Sequence, residues 1–475
     1  MWDRRRTLIF TICCTSLFVV ALDNTIVNIA LPAIRKDLHA STSGLQWTID
    51  AYSIVLASLL MLGGSTADRL GRRRVFQIGL VLFTLGSLLC GLAPGLGWLI
   101  AFRVLQAVGG SMLNPVAMSI VTNTFPDPRE RARAIGFWGA TFGLSMALGP
   151  VLGGLLVPLD WRAIFWINVP VGIAAFVLAQ KYIPESRAPR ARRVDPVGQV
   201  LVIVVLASLT YAIIEGPGAG WTSTRIVALF AVAAAALIAL IGYERRRFEP
   251  LVEIRLFRSA PFVGATTIAV LLFCTLGGLL FVNTLYLQEA RGLSTLQAGA
   301  CTLPTAVMLV VCGPISGRLV ATVGPRVPLV LGGAGIAAGA LALTGLGSHT
   351  PILALLGIYA LFGVGFGLAN TPITNTAVSG LPRAQAGVAA AFASTSRQVG
   401  LTLGVAIIGS AVTSHVRGSI PEGFAAASHV GWWIMFGCGL AVVVLALVTT
   451  GRWARATSSR TAAELERAEP VAVPS

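Results

Sequence analysis

Charged residues are scarce in this sequence: of its 475 residues only 11% are Asp, Glu, Lys or Arg, whereas 55% are hydrophobic. A soluble globular protein has about 25% charged residues, because its surface must be hydrated. The shortage of charge therefore excludes a soluble globular protein of this length. Lipid is the expected solvent for most of the chain.

Histidine and cysteine are also rare, with four and seven residues. The cysteines fall in apolar stretches, where a thiol behaves as a small apolar side chain, and their spacing is not that of zinc ligands or of a disulfide framework. We therefore expect no metal and no cofactor. Paired acids, His clusters and Ser-His-Asp sets at a shared depth are also missing, so an enzyme is not expected.

A glycine-rich phosphate loop followed by Lys-Ser or Lys-Thr is missing as well, so ATP hydrolysis is not expected. The net charge of +16 is spread over loops between apolar runs. Nucleic-acid binding would instead gather the positive residues on one soluble domain, and we do not expect it. The arginines at positions 4–6 precede an apolar run without a small-residue cleavage site, which indicates an anchor of a first span rather than a signal peptide.

Long apolar runs are abundant. Fourteen of them approach the roughly 20 residues that a helix needs to cross a bilayer, and clusters of Arg, Pro or Gly separate them. The predicted spans are residues 8–30, 46–66, 75–95, 98–122, 133–157, 162–181, 196–215, 225–243, 260–288, 297–320, 327–347, 351–375, 385–411 and 430–450. The sequence thus predicts an all-α polytopic membrane protein with fourteen transmembrane helices.

The positive residues give this topology an orientation, because cytoplasmic loops collect Lys and Arg. Of the 35 such residues, 27 lie on the side of the two termini, six lie on the other side and two lie inside spans. A missed helix would invert every later loop and remove this asymmetry. We therefore expect both termini in the cytoplasm and the chain in the plasma (inner) membrane. The six residues on the other side are Arg35, Lys36, Arg162, Arg225, Arg291 and Arg417.

An internal repeat divides the chain. Gly64 and Gly71 enclose a basic loop after the second span, and Gly317 and Gly324 recur with the same separation after the tenth. Such duplication is common in transporter folds. The predicted domains are a first six-helix bundle at 1–181, an inserted helix pair with its linkers at 182–259, a second six-helix bundle at 260–450 and a disordered cytoplasmic tail at 451–475.

Several short stretches match the motifs of one known family. Span four has Ala107 where that family usually has Gly, and span five has Ser145 where a leading Gly is common. In order and spacing, the stretches make the chain resemble the fourteen-span drug:proton antiporters of the major facilitator superfamily over about residues 8–450. They are LDNTIVNIALP at 22–32, GSTADRLGRRR at 64–74, RVLQAVGG at 103–110, GPVLGG at 149–154, WR at 161–162 with NVP at 168–170, YLQ at 286–288 and RQVG at 397–400.

The resemblance implies the major facilitator fold, a monomer, and export of drugs or antibiotics by alternating access in exchange for protons. The partners of such a protein are an amphiphilic small molecule, protons and the lipid bilayer. One proton crossing a potential of 100 mV supplies about 2.3 kcal/mol, so a proton gradient is a sufficient source of energy. A dedicated exporter of one endogenous metabolite or of a self-made antibiotic is the alternative to a multidrug exporter.

Two motifs are expected to control the conformational change. The resemblance implies that Asp68 bonds the start of a helix in the outward-facing state and that the fifth span lies where the two halves meet. The alternatives are a basic loop that only orients its spans, and a small-residue face that only packs. The residues concerned are Gly64, Asp68, Arg69, Gly71, Arg72 and Arg73 in the loop and Gly149, Pro150, Gly153 and Gly154 in the span.

Asp23, Asp50 and Arg103 are the candidates for proton coupling. Each lies inside a predicted span and within a few residues of the same side, and an ionisable residue inside the membrane is costly to retain without a function. The arginine would favour an ionised carboxylate and burial a protonated one, so movement could switch proton uptake and release. The alternatives are that Arg103 extends towards water and that Asp50 only caps its helix.

Eight further residues are candidates for substrate binding. Arg397 lies near the middle of its span, and it requires either an anionic group of the substrate or carbonyls of a broken helix near Asn370. The aspartates favour cationic substrates and the arginines anionic ones, and we expect cationic or zwitterionic amphiphiles. Packing is the alternative for the aromatic candidates. The full set is Asn24, Asn28, Trp138, Asn283, Tyr286, Gln288, Asn370 and Arg397.

Overall fold

A computed structural model describes residues 3–187, 195–247, 253–347, 350–416 and 420–468. Within these ranges the secondary structure is helical, and no strand is present. The predicted loop arginines Arg190, Arg192, Arg193 and Arg417 lie outside them, as do residues 469–475 of the predicted tail.

The first bundle contains seven helical segments, because the sixth predicted span is divided into a short and a long helix. They are α1 (Arg4–Leu38), α2 (Thr42–Leu70), α3 (Arg72–Gly91), α4 (Leu96–Thr124), α5 (Pro128–Leu156), α6 (Ala163–Trp166) and α7 (Asn168–Tyr182). The inserted pair follows as α8 (Pro196–Ala219) and α9 (Thr224–Glu244).

The second bundle contains six long helices, and a further helix follows it. They are α10 (Ala260–Leu285), α11 (Thr295–Val323), α12 (Arg326–Leu343), α13 (Ile352–Val378), α14 (Arg383–Thr413), α15 (Ile420–Thr449) and α16 (Arg452–Ala468). A 3-10 turn, Ile254–Arg258, precedes α10, and a π-helical turn, Tyr286–Ala290, extends it.

Short polar residues begin several of these helices by binding backbone N–H groups that have no partner inside the helix. The Ser41 hydroxyl accepts from the N–H of Gly44 at 3.1 Å at the start of α2. Asp127 and Asp195 do the same for α5 and α8, each followed by a proline at the first helical position. Ser294 begins α11 with a reciprocal bond to Gln297. The predicted loops and the helix starts therefore coincide.

Thirteen helices in the described ranges are long and apolar enough to cross a membrane. In this number α6 and α7 form one span, Ala163–Tyr182. The helix α14 is not among them because polar residues such as Arg397 and Gln398 lower its mean hydropathy, yet it has 31 residues and packs against α10, α13 and α15. With α14 included, the number agrees with the fourteen predicted spans.

The inserted pair packs at a seam between the bundles. The helix α8 lies against α2 of the first bundle and against α14 of the second. The indole of Trp47 donates to the carboxylate of Glu215 at 3.0 Å, and the amide of Gln199 donates to the carbonyl oxygen of Ser58. The helix α9 packs on α8, and its side chains are largely exposed, as expected for a face towards lipid.

The prediction of a disordered tail is wrong for residues 452–468, which form α16. Its composition is polar, but Ala454, Ser458, Thr461 and Leu465 recur at helical spacing and are buried. The stripe docks on the second bundle, where the Ser458 hydroxyl donates to the carbonyl oxygen of Ser379 at 2.7 Å. Periodicity, which the compositional argument did not weigh, decides the structure here.

The two ends of the bundles differ in how closely the halves approach. We call the end that contains Arg4 and α16 the terminal end, and the other the opposite end. At the opposite end several described bonds join the halves. They are Arg35 to Glu289 at 2.7 Å, Gln288 to the Ile29 carbonyl at 3.0 Å, Gln46 to the Val405 carbonyl at 2.9 Å and Thr295 to the Gly154 carbonyl at 3.3 Å.

At the terminal end the same helices are separated. A Cβ atom built on Gly136 or Gly139 of α5 would meet no atom within 4 Å. Gly143, four residues after Gly139 and on the same face of α5, would place its Cβ 2.9 Å from Cγ2 of Val310 in α11, so the two helices part between these positions. The molecule is therefore closed between the halves at the opposite end and open at the terminal end.

Candidate functional site

A cluster of polar side chains surrounds Asp23, whose side chain is fully buried in the middle of α1. Arg103 of α4 donates through Nη1 to Oδ2 of Asp23. The Oδ1 atom accepts from the amide of Gln106 at 2.9 Å and from the amide of Asn168 at 3.3 Å. Both carboxylate oxygens are therefore satisfied, and the pair has no net charge.

The same arginine also contacts α2. Its Nε donates to the carbonyl oxygen of Thr48 at 3.2 Å, and its guanidinium lies 4.0 Å from the centre of the Tyr52 ring. A cation over an aromatic face is stabilised by the ring quadrupole. The alternative in which Arg103 extends towards water is wrong, because only 1% of its side chain is exposed.

Asp50 does not join this cluster, although the sequence places it at a depth similar to that of Arg103. The ring of Tyr52 and the backbone carbonyl of Thr48 face Arg103 from α2, and Asp50 lies two residues before Tyr52, about 200° around the helix. It instead shares a face with Gln46, one turn away, whose amide binds α14. Asp50 is fully buried, and neither carboxylate oxygen has a hydrogen-bond partner in the described part of the chain.

Several members of the Asp23 cluster were not predicted as site residues. Gln106 and Asn168 belong to stretches that resemble family motifs, so a signal existed, but their contact with Asp23 depends on the packing of α1, α4 and α7. Tyr52 and Ser87 had no signal; the Ser87 hydroxyl accepts from Asn168 at 3.0 Å and donates to a backbone carbonyl at 2.8 Å.

The glycines of α5 permit two close approaches. A Cβ atom on Gly149 would lie 1.9 Å from Oγ1 of Thr25 in α1, and one on Gly154 would lie 2.7 Å from Cα of Leu296 in α11. On α11, a Cβ on Gly299 would lie 2.2 Å from the carbonyl oxygen of Pro150. The helix α5 thus lies between the two bundles, as the resemblance implies.

In the loop between α2 and α3, Asp68 accepts from the guanidinium of Arg72 at 2.9 Å. At the start of α3 the backbone N–H of Arg72 donates to the carbonyl oxygen of Ser186 at 2.9 Å, and those of Arg73 and Arg74 donate to the carboxylate of Glu185 at 3.1 and 3.3 Å. A Cβ on Gly71 would lie 2.6 Å from that carboxylate. In this arrangement Glu185, which the sequence did not indicate, occupies the start of a helix.

The internal repeat is visible in the backbone. Gly71 ends α2 with φ of 114°, and Gly324 ends α11 with φ of 84°. Glycine adopts such angles without the steric cost that other residues have. The matching positions in the two halves therefore both have the positive φ that favours glycine.

In the second bundle Arg397 lies between α13 and α14. Its Nε donates to Oδ1 of Asn370 at 3.3 Å and its Nη2 to Oγ1 of Thr374 at 2.7 Å. These partners are side-chain oxygens, so the predicted alternative of backbone carbonyls is not what the structure contains. Both partners are neutral.

The remaining predicted residues are divided between the interior and the seam. Asn24 and Asn28 bond to carbonyls of their own helix at 3.4 and 3.0 Å. Trp138 packs against the apolar core of the first bundle, which agrees with the packing alternative. Tyr286 is buried and donates to the Gly347 carbonyl at 2.8 Å, and Asn283 accepts from Tyr359.

Comparison with known proteins gives a family match and similar transport proteins. A family model described as Major Facilitator Superfamily matches residues 13–405. The multidrug resistance protein Stp of Mycobacterium tuberculosis is 37% identical over 428 residues, covering 88% of this chain and 80% of that protein. The tetracenomycin C resistance and export protein of Streptomyces glaucescens is 38% identical over 419 residues, covering 87% and 77%.

Solved structures agree on the fold. A D-xylose–proton symporter superposes with a TM-score of 0.65 at 15% identity, covering 92% of this chain and 97% of that one. An inward-facing bacterial homologue of the human lysosomal transporter Spinster gives 0.63 at 16% identity, covering 98% and 99%. From its helical architecture, its repeated halves and these matches, the chain belongs to the major facilitator superfamily.

Proposed function

We propose that the protein exports drugs or antibiotics, as amphiphilic small molecules, from the cytoplasm in exchange for protons. The observation that carries this proposal is the buried pair of Asp23 and Arg103 in a bundle that borders an opening between the halves. A titratable pair inside a membrane is costly to retain. Relatives named for multidrug resistance and for export of an antibiotic support the direction of transport.

The terminal end is the cytoplasmic end in this proposal, because 27 of the 35 positive residues lie on that side. The arrangement is then open to the cytoplasm and closed to the outside, which is the state that receives a cytoplasmic substrate. The bundles at 1–181 and 260–450 act as the two moving units of a monomer, and α5 and the loop at Asp68 control their movement.

The proton is exchanged at Asp23. In the state open to the cytoplasm the carboxylate accepts from Arg103, Gln106 and Asn168, so both of its oxygen atoms are occupied by donors. In the state open to the outside, a proton neutralises Asp23 and frees Arg103. When the halves return, Arg103 displaces that proton towards the cytoplasm. One proton thus moves inwards while the substrate moves outwards.

Asp50 is the second candidate for a proton carrier. A buried carboxylate without hydrogen bonds is far more costly when ionised than when neutral. In the present arrangement Asp50 therefore holds its proton between α2 and α14. Opening of that seam at the opposite end would expose it to water.

Dedicated export of one endogenous metabolite or self-made antibiotic is the alternative to multidrug efflux. Multidrug efflux requires several unrelated molecules to be transported. Competition between lipophilic dyes and single antibiotics in one assay separates the two functions.

The test is proton movement in inside-out vesicles with an imposed pH gradient, acid inside. Lipophilic compounds should dissipate the gradient with the wild type and not with Asp23→Asn. Asp160→Asn is the matched control, because Asp160 is an acid at the opposite end with 40% side-chain exposure. Full activity of Asp23→Asn would move the carrier to Asp50, and a wild type without proton movement for any compound would refute the antiport.

A further inference from the structure

Two arginines lie within the spans, and they differ in their counterions. Arg103 faces Asp23, whereas Arg397 makes no ion pair with any described residue. Its hydrogen-bond partners Asn370 and Thr374 carry no charge. The guanidinium therefore keeps its full positive charge in a region where an unpaired charge is costly.

The geometry leaves one edge of the guanidinium available. Asn370 and Thr374 accept from Nε and Nη2, so both partners hold the group by one side. The Nη1 group has no described partner. An arginine held in this way presents Nη1 and Nη2 to a carboxylate or another anionic oxygen, the fork geometry that such groups match.

Arg397 also lies nearer to the terminal end than the bond that joins α2 to α14. The last described bond between the halves on α14 is that from Gln46 to the Val405 carbonyl. Arg397 precedes Val405 by eight residues along the helix, about 12 Å nearer to the terminal end. Its side chain is partly exposed there, whereas Asp23 and Asp50 are fully buried.

We propose that Arg397 binds an anionic group of the transported molecule, a carboxylate or an acidic phenol, and so selects acidic or zwitterionic substrates. The proposal rests on the export function proposed above and names its substrate class. The sequence-based expectation is of cationic or zwitterionic amphiphiles; the proposal keeps the zwitterions and puts acidic substrates in the place of the cationic ones. Asp23 is neutralised by Arg103 and Asp50 is enclosed, so neither attracts a cation at the opening.

A matched pair of dyes tests the proposal: a rhodamine methyl ester and its free carboxylic acid, which share one chromophore. Binding to the purified protein in nanodiscs is followed by fluorescence anisotropy. The acid should bind about tenfold more tightly than the ester to the wild type, the ratio for one favourable contact of about 1.4 kcal/mol. With Arg397→Gln the two affinities should become equal, through loss of affinity for the acid alone.

Two further variants serve as controls. Arg397→Lys keeps the charge without the fork and should retain part of the preference for the acid. Arg318→Gln removes an exposed arginine of α11 at the terminal end and should leave both affinities unchanged. Equal affinities in the wild type, or an unchanged preference in Arg397→Gln, would overturn the proposal.

The remaining outcomes separate this inference from the export function. Proton-coupled export of the ester without preference for the acid refutes the anion site and leaves export intact. No proton-coupled movement of any dye, with tight binding of the acid, refutes export and supports the anion site. The double variant Asp50→Asn and Arg397→Gln gives a last comparison. If its melting temperature and transport are higher than those of Arg397→Gln alone and match the wild type, then Asp50 is the counterion of Arg397 in another state, and the anion site is refuted.

Discussion

Asp23 and Arg103 join α1 to α4 by an ion pair with 0% and 1% of the two side chains exposed. Two amides, those of Gln106 and Asn168, complete the coordination of the carboxylate. The pair thus links three elements of the first bundle through one acid, and its loss has consequences for stability as well as for proton exchange.

Arg103→Gln should destabilise the protein more than removal of both charges does. The single change leaves a buried carboxylate unpaired, which costs about 3–5 kcal/mol. In the double variant Asp23→Asn and Arg103→Gln, neutral amides remain and part of the stability returns. Thermal unfolding in one detergent measures both. A double variant that melts no higher than Arg103→Gln contradicts the explanation.

The ion pair of Arg35 and Glu289 should stabilise closure at the opposite end, because its two residues belong to different bundles. Glu289→Gln is expected to increase the population in which this end is open. Spin labels at Lys36 and Leu296, both exposed, report the distance between the halves by double electron–electron resonance. A longer-distance population should appear or grow in the variant.

The control for this measurement is Asp160→Asn, which breaks a pair with Arg162 at the same end but within one bundle. It should leave the distance distribution as in the wild type. An equal effect of both variants would mean that general weakening of this end, rather than the contact between the bundles, is responsible.

Gly149→Ala should impair folding or transport by overpacking, at a cost of about 1–3 kcal/mol. The new methyl group would lie 1.9 Å from Oγ1 and 2.8 Å from Cβ of Thr25. Thr25→Gly removes both atoms and should restore part of the function. On the same helix, Gly139→Ala meets no atom within 4 Å and should be tolerated. Expression level and dye efflux are the measurements, and equal defects for the two alanines would contradict the packing argument.

Docking of α16 should protect it from proteolysis. Leu465→Glu places a charge in the buried stripe and should release the helix, so that trypsin cleaves after Arg452, Arg455 or Arg460 faster than in the wild type. Ala463→Glu, on the exposed face, should not change the rate. Cleavage at the same rate in all three proteins would show that the helix is not held by this stripe.

The sequence predicts the fold well because a bilayer restricts the chain to apolar helices of a set length. The positions of Arg and the glycine repeat add the topology and the two halves. The pairing of Asp23 with Arg103 could also be anticipated from their similar depth. The partners Gln106 and Asn168 could not, because they depend on how α4 and α7 are rotated against α1.

Asp50 illustrates a prediction that depth alone cannot make. Its level in the membrane is close to that of Arg103, but its direction depends on the rotation of α2, which Thr48 and Tyr52 reveal only in the folded structure. Glu185 is a second case: its carboxylate lies at the start of α3 because the chain after α7 returns to that point. Neither contact leaves a periodic signal in the sequence.

The position of the inserted pair leaves the two side seams between the bundles differently covered. The helix α8 touches both α2 and α14, so it lies over one seam and separates it from the lipid. On the other side α5 and α11 touch each other directly, and Gly154 and Gly299 allow the two backbones to approach closely. The extra helices therefore enlarge the footprint of the protein in the bilayer on one side only.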